Sequence, residues 1–158
     1  MEINYLAVLV AAFASFLVGF IWYNPKVFGT IWMHETGMTE EKARQSNMLK
    51  VFGLTFIFSF LLASSMSSLV IHQISVLQLA GGNEKDIAYM TFMDAHGHMF
   101  RSFGHGAIHG FFAALFIVVP TIAVNCLFEQ KSFKYAAITA GYWIVVMTIM
   151  GAIICGWK

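Results

Sequence analysis

Charged residues divide the chain into four long apolar windows. Every Asp, Glu, Lys and Arg lies outside residues 3–25, 51–83, 102–128 and 135–157. A helix needs about 20 apolar residues to cross a hydrocarbon core of about 30 Å, and each window reaches that length. The pattern therefore predicts an all-α fold, an integral membrane bundle of four transmembrane helices. These helices are expected at residues 3–23, 50–72, 104–127 and 135–157, with an extension of the second one to residue 80 left open.

Composition supports a chain that is mostly embedded in lipid. The 158 residues are 59% hydrophobic and 11% charged, whereas a soluble domain has roughly 25% charged residues. Four spanning helices use most of the length, so residues 1–158 are predicted to form a single membrane domain whose main partner is the lipid bilayer. A formal charge of +1 and the lack of a dense Lys/Arg run argue against a nucleic-acid partner.

Basic residues in the connections predict the orientation of the helices. Cytoplasmic connections carry an excess of Lys and Arg. One side has six such residues: Lys26, Lys42, Arg44, Lys50, Lys131 and Lys134. The other side has three: Lys85, Arg101 and Lys158. Both termini, and the connection between the second and third helices, are therefore expected on the periplasmic or extracellular side.

Small residues recur at four-residue steps on two of the predicted helices. Such faces let helix backbones approach closely in lipid. They lie on the first helix at Ala7, Ala11, Ser15 and Gly19, and on the fourth at Thr148, Ala152 and Gly156. Packing within one bundle is the favoured interpretation, and a homo-oligomer formed through these faces is the alternative.

Histidines are concentrated around one connection. Five of the six lie in or beside the segment between the second and third windows: His72, His96, His98, His105 and His109. A continuous helix would place Asp94, His98, Arg101, His105 and His109 on one face, where Arg101 would oppose a cation unless it turned away. Glycine weakens a helix by about 1 kcal/mol relative to alanine, so a break is expected between Gly97 and Gly104.

The spacing of His105 and His109 predicts a metal site. Residues four apart on the first turns of a helix point the same way. His98 or His96 would complete the ligand set, and Asp94 is a further candidate ligand or an acceptor for an imidazole N–H. Neutral imidazole suits zinc or copper, and the thioethers of the nearby methionines favour Cu(I).

Two other interpretations of the histidines remain open. They could be interfacial polar residues that hydrogen-bond the loop backbone, or His72 and either His105 or His109 could hold a haem. The sequence contains no nucleophile motif or phosphate-binding loop, and no carboxylate lies in the middle of a window. The favoured function is a non-enzymatic membrane module, within which metal binding at these periplasmic histidines is a hypothesis. A haem-carrying redox protein and a small oligomeric channel or transporter are the alternatives.

Aromatic and small residues along the chain carry a family resemblance. They include Asn4, Gly19, Trp22, Tyr23, Phe28, Gly29, Trp32, Pro120, Asn125, Phe128, Glu129, Gly141, Tyr142, Trp143, Met150 and Gly151. In these residues the chain resembles the bacterial membrane protein family called domain of unknown function 1761. The resemblance implies a four-helix protein of the bacterial inner (cell) membrane, and it supplies no catalytic residue.

Overall fold

The computed structural model describes residues 3–157, which form helices and no strand. Four helical segments are long and apolar enough to cross a membrane, as the sequence predicted. The helices are α1 (Tyr5–Trp22), α2 (Thr30–Thr36), α3 (Glu40–Gln45), α4 (Met48–Val70), α5 (His72–Leu79), α6 (Ile87–His96), α7 (Phe103–Ala113), α8 (Val119–Phe128) and α9 (Phe133–Gly156). The third span runs from α7 into α8 through a π-helical turn at Ala114–Val118. A second π-helical turn, Pro25–Gly29, precedes α2.

The second apolar window contains two helices instead of one. Ile71 is extended, with φ −114° and ψ 97°, and separates α4 from α5. His72 is therefore the first residue of a new helix. At the other end of α5, Gly81 and Gly82 adopt φ values of 65° and 78°, in the left-handed region that glycine enters without strain. The chain turns there, which ends α5.

The connection between the second and third spans has a helix of its own. The Asp86 carboxylate accepts a hydrogen bond of 3.0 Å from the Tyr89 N–H and caps α6, as a residue that precedes a helix commonly does. Helix α6 ends at His96, and α7 begins at Phe103. The predicted break between Gly97 and Gly104 is confirmed, so His96 and His98 do not share a helix face with His105 and His109.

Helix α9 lies at the centre of the bundle. Its side chains Val146, Met147 and Met150 are buried, and they pack in one cluster with Ala11 of α1 and Met66 of α4. Polar contacts tie the same helices together. The Ser15 and Ser59 hydroxyls are 3.0 Å apart, and the Tyr142 hydroxyl donates to the Ser15 carbonyl oxygen at 3.0 Å.

The closest helix contact in the bundle is between α7 and α9, and it depends on glycine. A Cβ added to Gly106 would overlap the Gly151 carbonyl, and one added to Gly110 would overlap the Met147 carbonyl. Backbones that pack this closely gain van der Waals contact in lipid, where helices have no hydrophobic drive to associate. Gly106 and Gly110 therefore fix how α7 is placed and rotated against α9.

The two predicted small-residue faces differ in how deeply they are buried. On α1, Ala7, Ala11 and Ser15 are buried inside the bundle. On α9, Thr148 and Ala152 are only half-buried, and the tightest contact is made by Gly151 on a neighbouring face. A spacing pattern identifies small residues but not the helix that lies against them.

Adding one methyl group at Gly110 tests this contact. We expect Gly110→Ala to lower the melting temperature of the detergent-solubilised protein by roughly 5 °C or more, because overpacking costs about 1–3 kcal/mol. Gly104→Ala on the same helix is the matched control, since a Cβ there has no atom within 4 Å. Melting can be followed by circular dichroism. Equal stability of the two variants would show that α7 and α9 are not in backbone contact.

Candidate metal site

Three histidines meet at one end of the bundle. His72 is on α5, and His105 and His109 are on α7. One ring nitrogen from each lies within 4.8 Å of the others. The Nε2 atoms of His72 and His105 are 2.9 Å apart, and the His105 and His109 ring centroids are 4.4 Å apart. These three side chains, the histidine cluster, form the one group of this kind found in residues 3–157.

Packing of α7 against α9 orients two of the three rings. His105 and His109 each precede a glycine of the helix contact, so the histidine face lies about 100° around α7 from the glycine face. Once Gly106 and Gly110 rest on α9, both imidazoles are directed to the same neighbouring region. The break at Ile71 then supplies the third ring, because it begins α5 at His72.

The spacing of the ring nitrogens suits a small ion better than a haem. Zinc–imidazole bonds of about 2.0–2.1 Å in tetrahedral geometry separate two ligand nitrogens by about 3.3 Å. The 2.9 Å between His72 and His105 needs only a slight opening to reach that value. A direct contact of this kind leaves no room for a porphyrin between the two side chains, which argues against haem ligation by this pair.

The hydrogen bond between His72 and His105 also constrains their charge. One Nε2 must donate and the other must accept, and an imidazolium has no acceptor. At least one of the two rings is therefore neutral in this arrangement. Its lone pair faces the partner ring and is available to a metal ion once the rings separate.

Phe100 covers one side of the cluster. Its ring stacks on His105 at a centroid distance of 5.1 Å and meets the His72 ring edge-on at 5.8 Å. The residue has φ 62°, a strained conformation for a bulky side chain that persists only where surrounding contacts impose it. The Phe100 carbonyl oxygen accepts from the Cys155 thiol at 3.3 Å, and Arg101 Nε donates to the Cys155 carbonyl oxygen at 3.0 Å. The loop is thus fastened to the end of α9.

The other predicted ligands lie outside the cluster. His96 is at the end of α6, where its Nδ1 is 3.0 Å from the Met99 Sδ. His98 and Asp94 are exposed and do not belong to the group. The metal-site hypothesis from the sequence paired His105 and His109 with these neighbours along the chain, and only the haem alternative paired one of them with His72. In the structure His72, 33 residues from His105, lies against both.

Gln73 connects α5 to the turn that contains His96. Its side chain is buried, with 2% of its surface exposed. The side-chain Nε2 donates to the His96 carbonyl oxygen at 3.3 Å and to the Met99 carbonyl oxygen at 2.9 Å. A buried amide that donates to two backbone carbonyls holds this turn beside the first residue of α5.

Comparison with known proteins agrees with the sequence resemblance. The family model described as Protein of unknown function (DUF1761) matches residues 6–155. No curated protein and no solved structure matches the chain. Because the match covers nearly all of the sequence and includes all four apolar spans, the chain belongs to the family Protein of unknown function (DUF1761).

Proposed function

We propose that this protein is a non-enzymatic membrane module that binds one zinc or copper ion through His72, His105 and His109. The observation that carries the proposal is the convergence of three imidazole nitrogens within 4.8 Å of one another. Neutral imidazole is a ligand that suits both zinc and copper. The cluster contains no carboxylate, so it has little attraction for the hard cations that prefer oxygen.

The way the ligands are held supports this proposal. His105 and His109 project from a helix whose backbone lies in contact with α9, and sites on rigid helices are more accurately placed than sites on loops. His72 is exposed and the other two rings are half-buried. Three protein ligands and a solvent-accessible side leave a fourth coordination position for water or an exchanging ligand.

We further propose that the cluster faces the periplasm or the exterior. The loop that precedes α7 and contains Phe100 and Arg101 is hydrogen-bonded to Cys155, near the end of α9. The opposite end of the bundle includes Ser132, which donates to the Glu35 carboxylate; this hydrogen bond lowers the pKa of Glu35. Six of the nine Lys and Arg residues belong to that opposite end, and the positive-inside rule assigns it to the cytoplasm.

Removal of a ligand should abolish tight metal binding. In calorimetric titration of tag-free protein at pH 7.5, we expect wild type to bind one Zn²⁺ per chain. His72→Ala and His105→Ala should each weaken binding by about 100-fold or more, since loss of even an outer partner costs 10–100-fold. His34→Ala and His98→Ala are the matched controls and should bind as wild type does. Wild-type affinity no tighter than millimolar, or equal affinity in His72→Ala, would contradict the proposal.

Acid should weaken the same binding. Ligation requires neutral imidazole, whose ordinary pKa is about 6.5. Protons therefore compete with the metal increasingly below that pH, and affinity is retained above it. We expect zinc affinity to fall by at least tenfold between pH 7.5 and pH 5.5, measured by the same titration. A pH-independent affinity would mean that the histidines are not the ligands.

Labelling of single cysteines in intact cells tests the orientation. A cysteine at Lys85, on the side of the histidine cluster, should react with an impermeant thiol reagent, whereas one at Lys131 should not. Both positions are exposed in the structure. The unsubstituted protein is the control, because its two cysteines, Cys126 and Cys155, are buried. Labelling at Lys131 and not at Lys85 would invert the proposed topology.

A further inference from the structure

Two further side chains of types that bind metals lie beside the histidine cluster. His96 Nδ1 and Met99 Sδ are 3.0 Å apart, and both residues are exposed. The pairing follows from the backbone, because the Met99 N–H donates to the His96 carbonyl oxygen at 3.0 Å and closes a tight turn. An imidazole and a thioether are thus presented together at the surface of the connection between α6 and α7.

The buried side chain of Gln73 holds the turn between His96 and Met99 in place. Gln73 donates to the carbonyl oxygens of both His96 and Met99, at 3.3 and 2.9 Å, and only 2% of its surface is exposed. The two backbone positions that carry the ligand atoms are therefore fixed relative to each other and to α5. Only side-chain rotation is needed to open the pair around an ion, so binding does not have to order the backbone.

We propose that His96 and Met99 form a second metal site, selective for Cu(I) over Zn²⁺. Soft thioether ligands select Cu(I), whereas a site made only of imidazoles accepts zinc and copper alike. The histidine cluster supplies nitrogen ligands alone, so the thioether of Met99 distinguishes the second site from the first. The proposal stands on its own ligands and does not require the histidine cluster to bind metal.

Stoichiometry with the two metals tests this proposal. Tag-free protein is titrated anaerobically with Cu(I), kept reduced by ascorbate, in competition with a chromophoric chelator, and separately with Zn²⁺. We expect two Cu(I) and one Zn²⁺ per chain. Copper K-edge X-ray absorption of the fully loaded protein should show a sulfur ligand. A wild type without a sulfur ligand to copper would overturn the proposal.

Variants of Met99 and His72 separate the two sites. Met99→Leu should lose one Cu(I) and the sulfur signal while zinc binding is unchanged. Since Met99 is exposed, the substitution leaves the core intact. Met90→Leu, at an exposed methionine on α6, is the matched control and should keep both Cu(I) ions. His72→Ala should lose zinc but retain the copper bound with sulfur.

The failures of the two proposals give different results. If the histidine cluster does not bind metal, wild type should take up no zinc but still bind one Cu(I) that depends on Met99. If His96 and Met99 are not a site, Met99→Leu should match wild type in copper stoichiometry and affinity, whatever the zinc titration shows. If His96 and Met99 are a site, Met99→Leu should lower the Cu(I) affinity of that site at least tenfold.

Discussion

Backbone contact between α7 and α9 determines much of what this bundle can do. Lipid offers helices no hydrophobic reason to associate, so close van der Waals packing must hold them together. Gly106 and Gly110 provide it by bringing α7 against the carbonyls of Gly151 and Met147, where any Cβ would overlap. This contact fixes which face of α7 lies against α9.

The metal chemistry follows from that rotation. Each glycine of the contact is preceded by a histidine, so a helix seated on its glycines presents His105 and His109 together. The break at Ile71 then begins α5 at His72 and brings its ring within hydrogen-bonding distance of His105. Gln73, the next residue, holds the turn of His96 and Met99. Both proposed sites thus depend on where α5 starts.

Local signals in the sequence were sufficient for the helices and for the break before α7. Runs of apolar residues predicted four spans, and glycines predicted the interruption between α6 and α7. Glycine weakens a helix, but the four-residue spacing of Gly106 and Gly110 is also typical of close helix packing. Helix weakening and close packing have opposite effects on stability, and only the position of α9 shows that close packing applies here.

The composition of the histidine cluster could not be obtained in the same way. His96 and His98 are near His105 along the chain, but the pairing with His72 depends on a long-range contact and on an extended residue, Ile71, that neither glycine nor proline marks. One clue was available, because a polar histidine at the end of the second predicted helix must face protein or water. That clue suggested His105 or His109 as a partner of His72 in a haem site, but it did not predict that all three rings meet.

Zinc K-edge X-ray absorption of the tag-free, zinc-loaded protein tests the central claim most directly. A cluster of His72, His105 and His109 predicts three imidazole nitrogens at about 2.0 Å, with one further light atom from solvent. A shell with one imidazole or none, dominated by oxygen ligands, would show that these three rings do not act together as a metal site.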